Sequence, residues 1–234
     1  MQKSPDEIRI ELIKLIEETL PLFPKLSQRL SEMNRWIVRK KSGLLMSKPH
    51  VLQLLEELIT DATFWFEVQL LPDEDRESEF AQLSPTEKYW YKYLFPTWIN
   101  ETDPKIYIWK QKLMAGEFEK SDASLIEKIC QEIENLGGDT FNPYIADLSM
   151  ATDFIASGMS ELPLCVQLTS VRDSLNQTKQ DDWLSTLKYW GIKRGIFISF
   201  NPTLNKVELN ISQNVFQCSD HIEDNCYPVI KIDR

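Results

Sequence analysis

Asp153, Gln167 and Thr169 are the residues of this 234-residue chain whose types and spacing point to chemistry. Leu162 to Ser170 reads LPLCVQLTS, in which Leu164, Val166 and Leu168 alternate with Cys165, Gln167 and Thr169. That period of two predicts a half-buried strand, with the amide and the hydroxyl on one face. Asp153 falls on the strand expected just before it. A carboxylate, an amide and a hydroxyl lined up on an inner strand and its neighbour are polar groups that call for partners or a use. The plainer reading is a row of polar groups turned to solvent or paired with one another.

The elements that must position these residues are legible in outline. Ser124 to Glu127 reads as a capping box, and Leu125, Ile126, Ile129, Ile133 and Leu136 form one apolar face ending at Gly137-Gly138, a C-cap signal. Strands are expected around Tyr144 to Ala156, Leu164 to Thr169, Gly195 to Phe200, Val207 to Ile211 and Val229 to Ile232. One helix interrupts them at about Lys179 to Trp190, with Trp183, Leu187 and Trp190 at helical spacing. Helix, strands, helix, strand and further strands describe an α/β or α+β domain over residues 119–234.

Residues 1–118 read as an all-helical lobe. Ser4-Pro5-Asp6-Glu7 is a capping box with Pro at the first helical position, followed by the face Ile8, Leu12, Leu15 and Ile16. A second helix carries Leu26, Leu30, Met33 and Ile37 and ends in Arg39-Lys40-Lys41, cations at the end where a helix dipole favours them. A third spans about Pro49 to Leu71, and PDEDRESE from Pro72 reads as an acidic connector. Ser84 to Glu87 opens a helix with Trp90, Leu94 and Trp98, and Asp103-Pro104 opens another with Ile106, Trp109 and Leu113. The three tryptophans Trp90, Trp98 and Trp109 are expected in the core.

Composition narrows the function classes. No apolar run is long enough for a membrane span, and MQKSPDEIRIE lacks a signal-peptide core, so no membrane role and a cytoplasmic setting are expected. Four cysteines without a CxxC pair suggest reduced thiols. The net charge is −10; residues 121–234 hold 9 Lys and Arg against 16 Asp and Glu. That balance argues against autonomous nucleic-acid binding, since phosphate contacts supply most non-specific affinity. Arg39-Lys40-Lys41 is the one basic cluster. Cys218, His221 and Cys226 have poor zinc spacing, and no glycine-rich phosphate loop occurs among the seven glycines.

Residues 121–202 resemble the core of the PD-(D/E)XK nuclease superfamily, the restriction-endonuclease-like fold, in element order: helix, three strands, helix, strand. The resemblance implies a mixed sheet flanked by helices. It makes Asp153, in MATDFIAS, the motif Asp and places Gln167-Leu168-Thr169 at the acid-x-Lys positions. Asp153 and Gln167 would then hold Mg²⁺, with Thr169 at the Lys position and Lys179, better placed than Lys188, as a lysine that has migrated to the next helix. Glu127 or Glu134 could add a first-helix acid, although Glu127 is better read as closing its capping box. Thr152 stands for the motif Pro, Gln167 for an acid and Thr169 for the Lys, and a hydroxyl cannot replace an ammonium charge. Two readings follow. One is a divergent Mg²⁺-dependent nuclease with cleavage weakened or lost, touching DNA or RNA only with a partner's help. The other is a non-catalytic pseudo-nuclease adaptor, or a helical interaction protein, bound to a protein partner in a larger complex.

Overall fold

The computed structural model of the chain describes residues 3–117, 123–170 and 176–233. These fall into two compact units, one of Met1–Gln82 with Phe95–Glu119 and one of Leu83–Leu94 with Lys120–Arg234.

The first unit is helical because its longer segments each carry an apolar face, and α1, α2 and α4 open on a proline. It holds α1 (Pro5–Thr19), α2 (Pro24–Ile37), α3 (Ser42–Met46), α4 (Pro49–Gln69) and α5 (Asp73–Gln82). After α6 (Pro85–Tyr89), which belongs to the second unit, it continues with α7 (Phe95–Asn100) and α8 (Ile106–Ala115). At α1 the Glu7 amide donates to Ser4 Oγ and the Ser4 amide donates to the Glu7 carboxylate, the reciprocal cap read from the sequence. Ile8, Leu12, Leu26, Leu30, Met33 and Leu55 make a fully buried core. The expected acidic connector is instead the helix α5. Asp73, Glu74 and Asp75 lie in its first turn, where the dipole stabilises anions, and Phe80 is buried. Trp98 and Trp109 are buried, and both indoles donate to Asp103 Oδ2, at 3.1 and 3.2 Å.

The second unit is mixed α/β. Its Leu83–Leu94 insertion holds α6 and a π-helical turn, Trp90–Leu94, so the single cut expected at residue 118 becomes a discontinuous boundary. Aromatic packing shows why. Trp90 is fully buried, and both it and Tyr91 pack on Phe141. The Thr86 amide also donates to Asp139 Oδ2 at 3.0 Å.

Five strands form one sheet in the order β1 (Asp139–Phe141), β2 (Phe154–Ser157), β3 (Leu164–Thr169), β4 (Gly195–Phe200) and β5 (Val229–Ile232). β1, β2 and β3 pair antiparallel, whereas β3, β4 and β5 run parallel. The helices of this unit are α9 (Ala123–Asn135), α10 (Tyr144–Met150), α11 (Asn176–Tyr189) and α12 (Val207–His221). Ile129 and Ile133 of α9 and Val207, Ile211 and Val215 of α12 pack with Leu164, Val166, Leu168, Ile196 and Ile198 on one sheet face. On the other, Trp183 of α11 packs edge-on against Phe197. Since β3, β4 and β5 succeed one another in one direction, connections on opposite faces make one of the two crossovers left-handed, an uncommon arrangement.

Three local expectations are corrected. Tyr144–Met150 is the helix α10, not the start of a strand, because nearly all of it is buried and burial erases the periodicity. Val207–Ile211 opens α12: Val207, Leu209 and Ile211 alternate, but Val207, Ile211 and Val215 also repeat at helical spacing, and the longer repeat wins. Ser124 lies inside α9, so it does not cap that helix. The C-cap at Gly137 stands, with φ 89° and the Gly138 amide donating to Ile133 at 3.0 Å.

Candidate functional site

Asp153 is held by what precedes it. Helix α10 ends at Ala151, whose left-handed φ of 51° turns the chain towards the sheet. Thr152 is buried, and its Oγ1 donates to the Met150 carbonyl at 3.3 Å. The Asp153 amide then donates to Val166 O at 2.8 Å, one residue before β2 begins. This antiparallel register, with Phe154 opposite Val166, sets Asp153 opposite Gln167.

The two side chains meet. Gln167 Nε2 donates to Asp153 Oδ2 at 2.8 Å and to the Leu168 carbonyl at 3.1 Å. The Leu168 amide donates to the same Oδ2 at 2.6 Å. One carboxylate oxygen therefore accepts two hydrogen bonds, and both protons of the Gln167 amide are committed. A charged acceptor makes these bonds stronger than neutral ones. The Leu168 amide could not be anticipated from side-chain types, because a backbone donor leaves no trace in residue identity.

Strand β3 is covered more fully than its alternation implied. Cys165 is completely buried and Thr169 largely so, leaving Gln167 as the half-exposed residue of the strand. Burial pushes the Cys165 thiol up to about 12, and a hydrogen bond with Thr152 opposes the shift. The Tyr89 phenol is pushed well above 10, by burial first and then by proximity to Cys165, Tyr227 and Asp224.

Lys179, in the first turn of α11, and Lys188 are both exposed. The register also lines up Thr169, Ser199 and Lys231 across β3, β4 and β5 on the Gln167 face. Sequence reading missed Lys231, although the alternation in VIKI carries it. Adjacent strands are about 4.8 Å apart, so Lys231 stands about 14 Å of sheet from Asp153, beyond the reach of its side chain.

The first-helix acids lie elsewhere. Glu127 is exposed, and Glu134 accepts a hydrogen bond from Thr140 Oγ1 at 3.0 Å. His221 Nδ1 pairs with the Gln217 carbonyl at 2.7 Å. Among the described residues no group of three or more His, Cys, Asp or Glu is placed to hold a metal ion. Nor is any described helix long and apolar enough to cross a membrane.

No protein-family model matches the chain, no curated protein matches it in sequence, and no solved structure matches its fold.

Proposed function

We propose that the second unit is a divergent restriction-endonuclease-like domain whose phosphodiester-cleaving centre is reduced to a hydrogen-bonded Asp153–Gln167 pair. In this reading cleavage is weakened to the point of loss, and the domain works by binding, alongside a protein partner. Support comes from the strand order and senses, with Asp153, just before β2, opposite Gln167 of β3. The observation that carries the weakened activity is the pair of donors on Asp153 Oδ2.

Magnesium does not fit these residues. The ion wants several anionic oxygens in a near-octahedral shell, and here one carboxylate stands against an amide that presents its nitrogen. Thr169 adds a largely buried hydroxyl and no charge. Removing one preorganised electrostatic donor from an active site costs about 2.7–4 kcal/mol, roughly two to three orders in rate. The residues that remain can order the β2–β3 junction and bond a polar ligand.

Nicking of supercoiled DNA with Mg²⁺ tests this reading. The parent chain and Asp153→Ala are expected to be equally inactive, and Gln167→Glu alone also inactive. The double change Gln167→Glu with Thr169→Lys, which restores both missing groups, is expected to give metal-dependent nicking. Robust cleavage by the parent, abolished in Asp153→Ala and in Lys179→Ala, would establish the competing reading. There the Gln167 amide is turned to offer its oxygen to a metal, and Lys179 supplies the charge.

A further inference from the structure

The end of α2 and the turn after it carry the one stretch of this chain with strongly positive charge. From Met33 to Leu55 there is no Asp or Glu, while Arg35, Arg39, Lys40, Lys41 and Lys48 all fall inside it, in a chain whose net charge is −10. Cations at a helix C-terminus ordinarily need no further explanation, because they satisfy the last carbonyls. Here Arg9 of α1 does that instead. Its Nη2 donates to the Ile37 carbonyl at 3.1 Å and to the Lys40 carbonyl, while Nη1 bonds Asp6 and Ser42.

The basic side chains are thereby left over. Arg35, Arg39 and Lys41 are exposed and Lys40 is half-exposed. None of these four lies within ion-pair distance of a described acid, whereas Lys3, Lys14, Arg29, Arg76 and Lys110 of the same unit each do. Lys48 stands apart, its ammonium resting over Gly116 at the end of α8. We propose that Arg35, Arg39, Lys40 and Lys41 form a contact for the phosphate backbone of a nucleic acid.

Charge, not apolar surface, distinguishes this turn. Val38, Leu44 and Met46 are exposed beside it, but exposed large apolar side chains are scattered over the chain, from Ile10 and Leu22 to Met159 and Val229. Scattered apolar residues are ordinary, and a lipid surface would call for a concentrated apolar face beneath the cations. The one aromatic nearby that could stack on a base, Trp36, packs edge-on against Trp109. A backbone contact without base readout needs cations alone. The inference rests on the proposed function only in naming nucleic acid as the ligand, and it does not involve Asp153.

The test is anisotropy of the full-length protein with a short fluorescent DNA duplex over a salt series. Four phosphate contacts give a log–log salt slope of about −3.6, so affinity falls by about two orders of magnitude between 50 and 200 mM salt. The variant Arg39→Gln/Lys40→Gln/Lys41→Gln should drop the slope to about −0.9 and weaken binding at low salt by a similar factor. The control Lys3→Gln/Lys14→Gln/Lys193→Gln, of equal charge change, should keep the parent slope. Circular dichroism verifies that both variants are folded. Asp153→Ala should bind as the parent does, which separates this contact from the β2–β3 site. Equal weakening in the control would overturn the proposal, as would no duplex binding, or binding to phosphatidylserine vesicles in preference to duplex that the first variant loses.

Discussion

Gln167 shows how one atom type decides between two chemistries. As an amide it donates to Asp153 at 2.8 Å, and as a carboxylate it would face Asp153 as a like charge. Gln167→Glu should therefore destabilise the domain at neutral pH, by about 1–3 kcal/mol, because a donor to a part-buried acceptor is lost and repulsion is added. The sign of the pH dependence follows. A like charge raises the folded-state carboxyl pKa above its unfolded value, so the stability of the variant is greatest below the unfolded value and falls as pH rises through the raised one. Melting temperatures of variant and parent should thus converge as pH is lowered from 7 towards 4. Millimolar Mg²⁺ should raise the melting temperature of the variant and leave the parent unchanged, since only the variant offers two carboxylates there. A variant as stable as the parent at pH 7 would show that the Asp153–Gln167 bond is not structural.

At the scale of elements, two turns around β2 and the end of α9 set the site, and they make opposite predictions. Ala151 is a non-glycine residue at φ 51°, a conformation that costs an L-residue about 1 kcal/mol. Ala151→Gly should be neutral to stabilising, by up to about 1 kcal/mol after the entropy of the freer unfolded chain is set against the relief. Gly138 is the reverse case. A Cβ there would lie 2.5 Å from the Ser157 carbonyl oxygen and 2.8 Å from Ile133 Cγ2, and backbone on β2 cannot step aside. Gly138→Ala should cost about 1–3 kcal/mol, read as a lower urea midpoint with unchanged slope. A midpoint at the parent value would mean that the approach of α9 to β2 is looser than these distances.

At the scale of the whole molecule, buried thiols make stability depend on alkaline pH. Burial raises Cys165 to about 12 and Cys130 to about 11, from an ordinary value of 9.0. Their folded-state pKa values lie above the unfolded ones, so the associated stability is complete below pH 9 and is lost as pH rises towards 11–12. The melting temperature should hold from pH 7 to 8.5 and fall beyond pH 9, and Cys165→Ala should flatten part of that fall. A parent and a Cys165→Ala variant with identical alkaline profiles would show that the thiol ionises freely in the folded state. Cys226, which is exposed, should react with a thiol reagent at pH 8 while Cys165 stays protected until the protein unfolds.

Local chemistry alone determined the caps at Ser4 and Ser84, the C-cap at Gly137, the helix of Trp183 and Leu187, and the strands β3, β4 and β5. Each depends on residues within a few positions of one another, and the sequence holds all of them. Tertiary structure decided the rest. Tyr144–Met150 is a helix because burial on all sides removes the periodicity that would announce it. Leu83–Leu94 joins the α/β unit because Trp90 and Tyr91 find Phe141, some fifty residues away in sequence. Asp153 and Gln167 were legible as a pair, since alternation and strand order bring them together. Their bond was not, because it takes the antiparallel register and the Leu168 amide to gather two donors on Asp153 Oδ2.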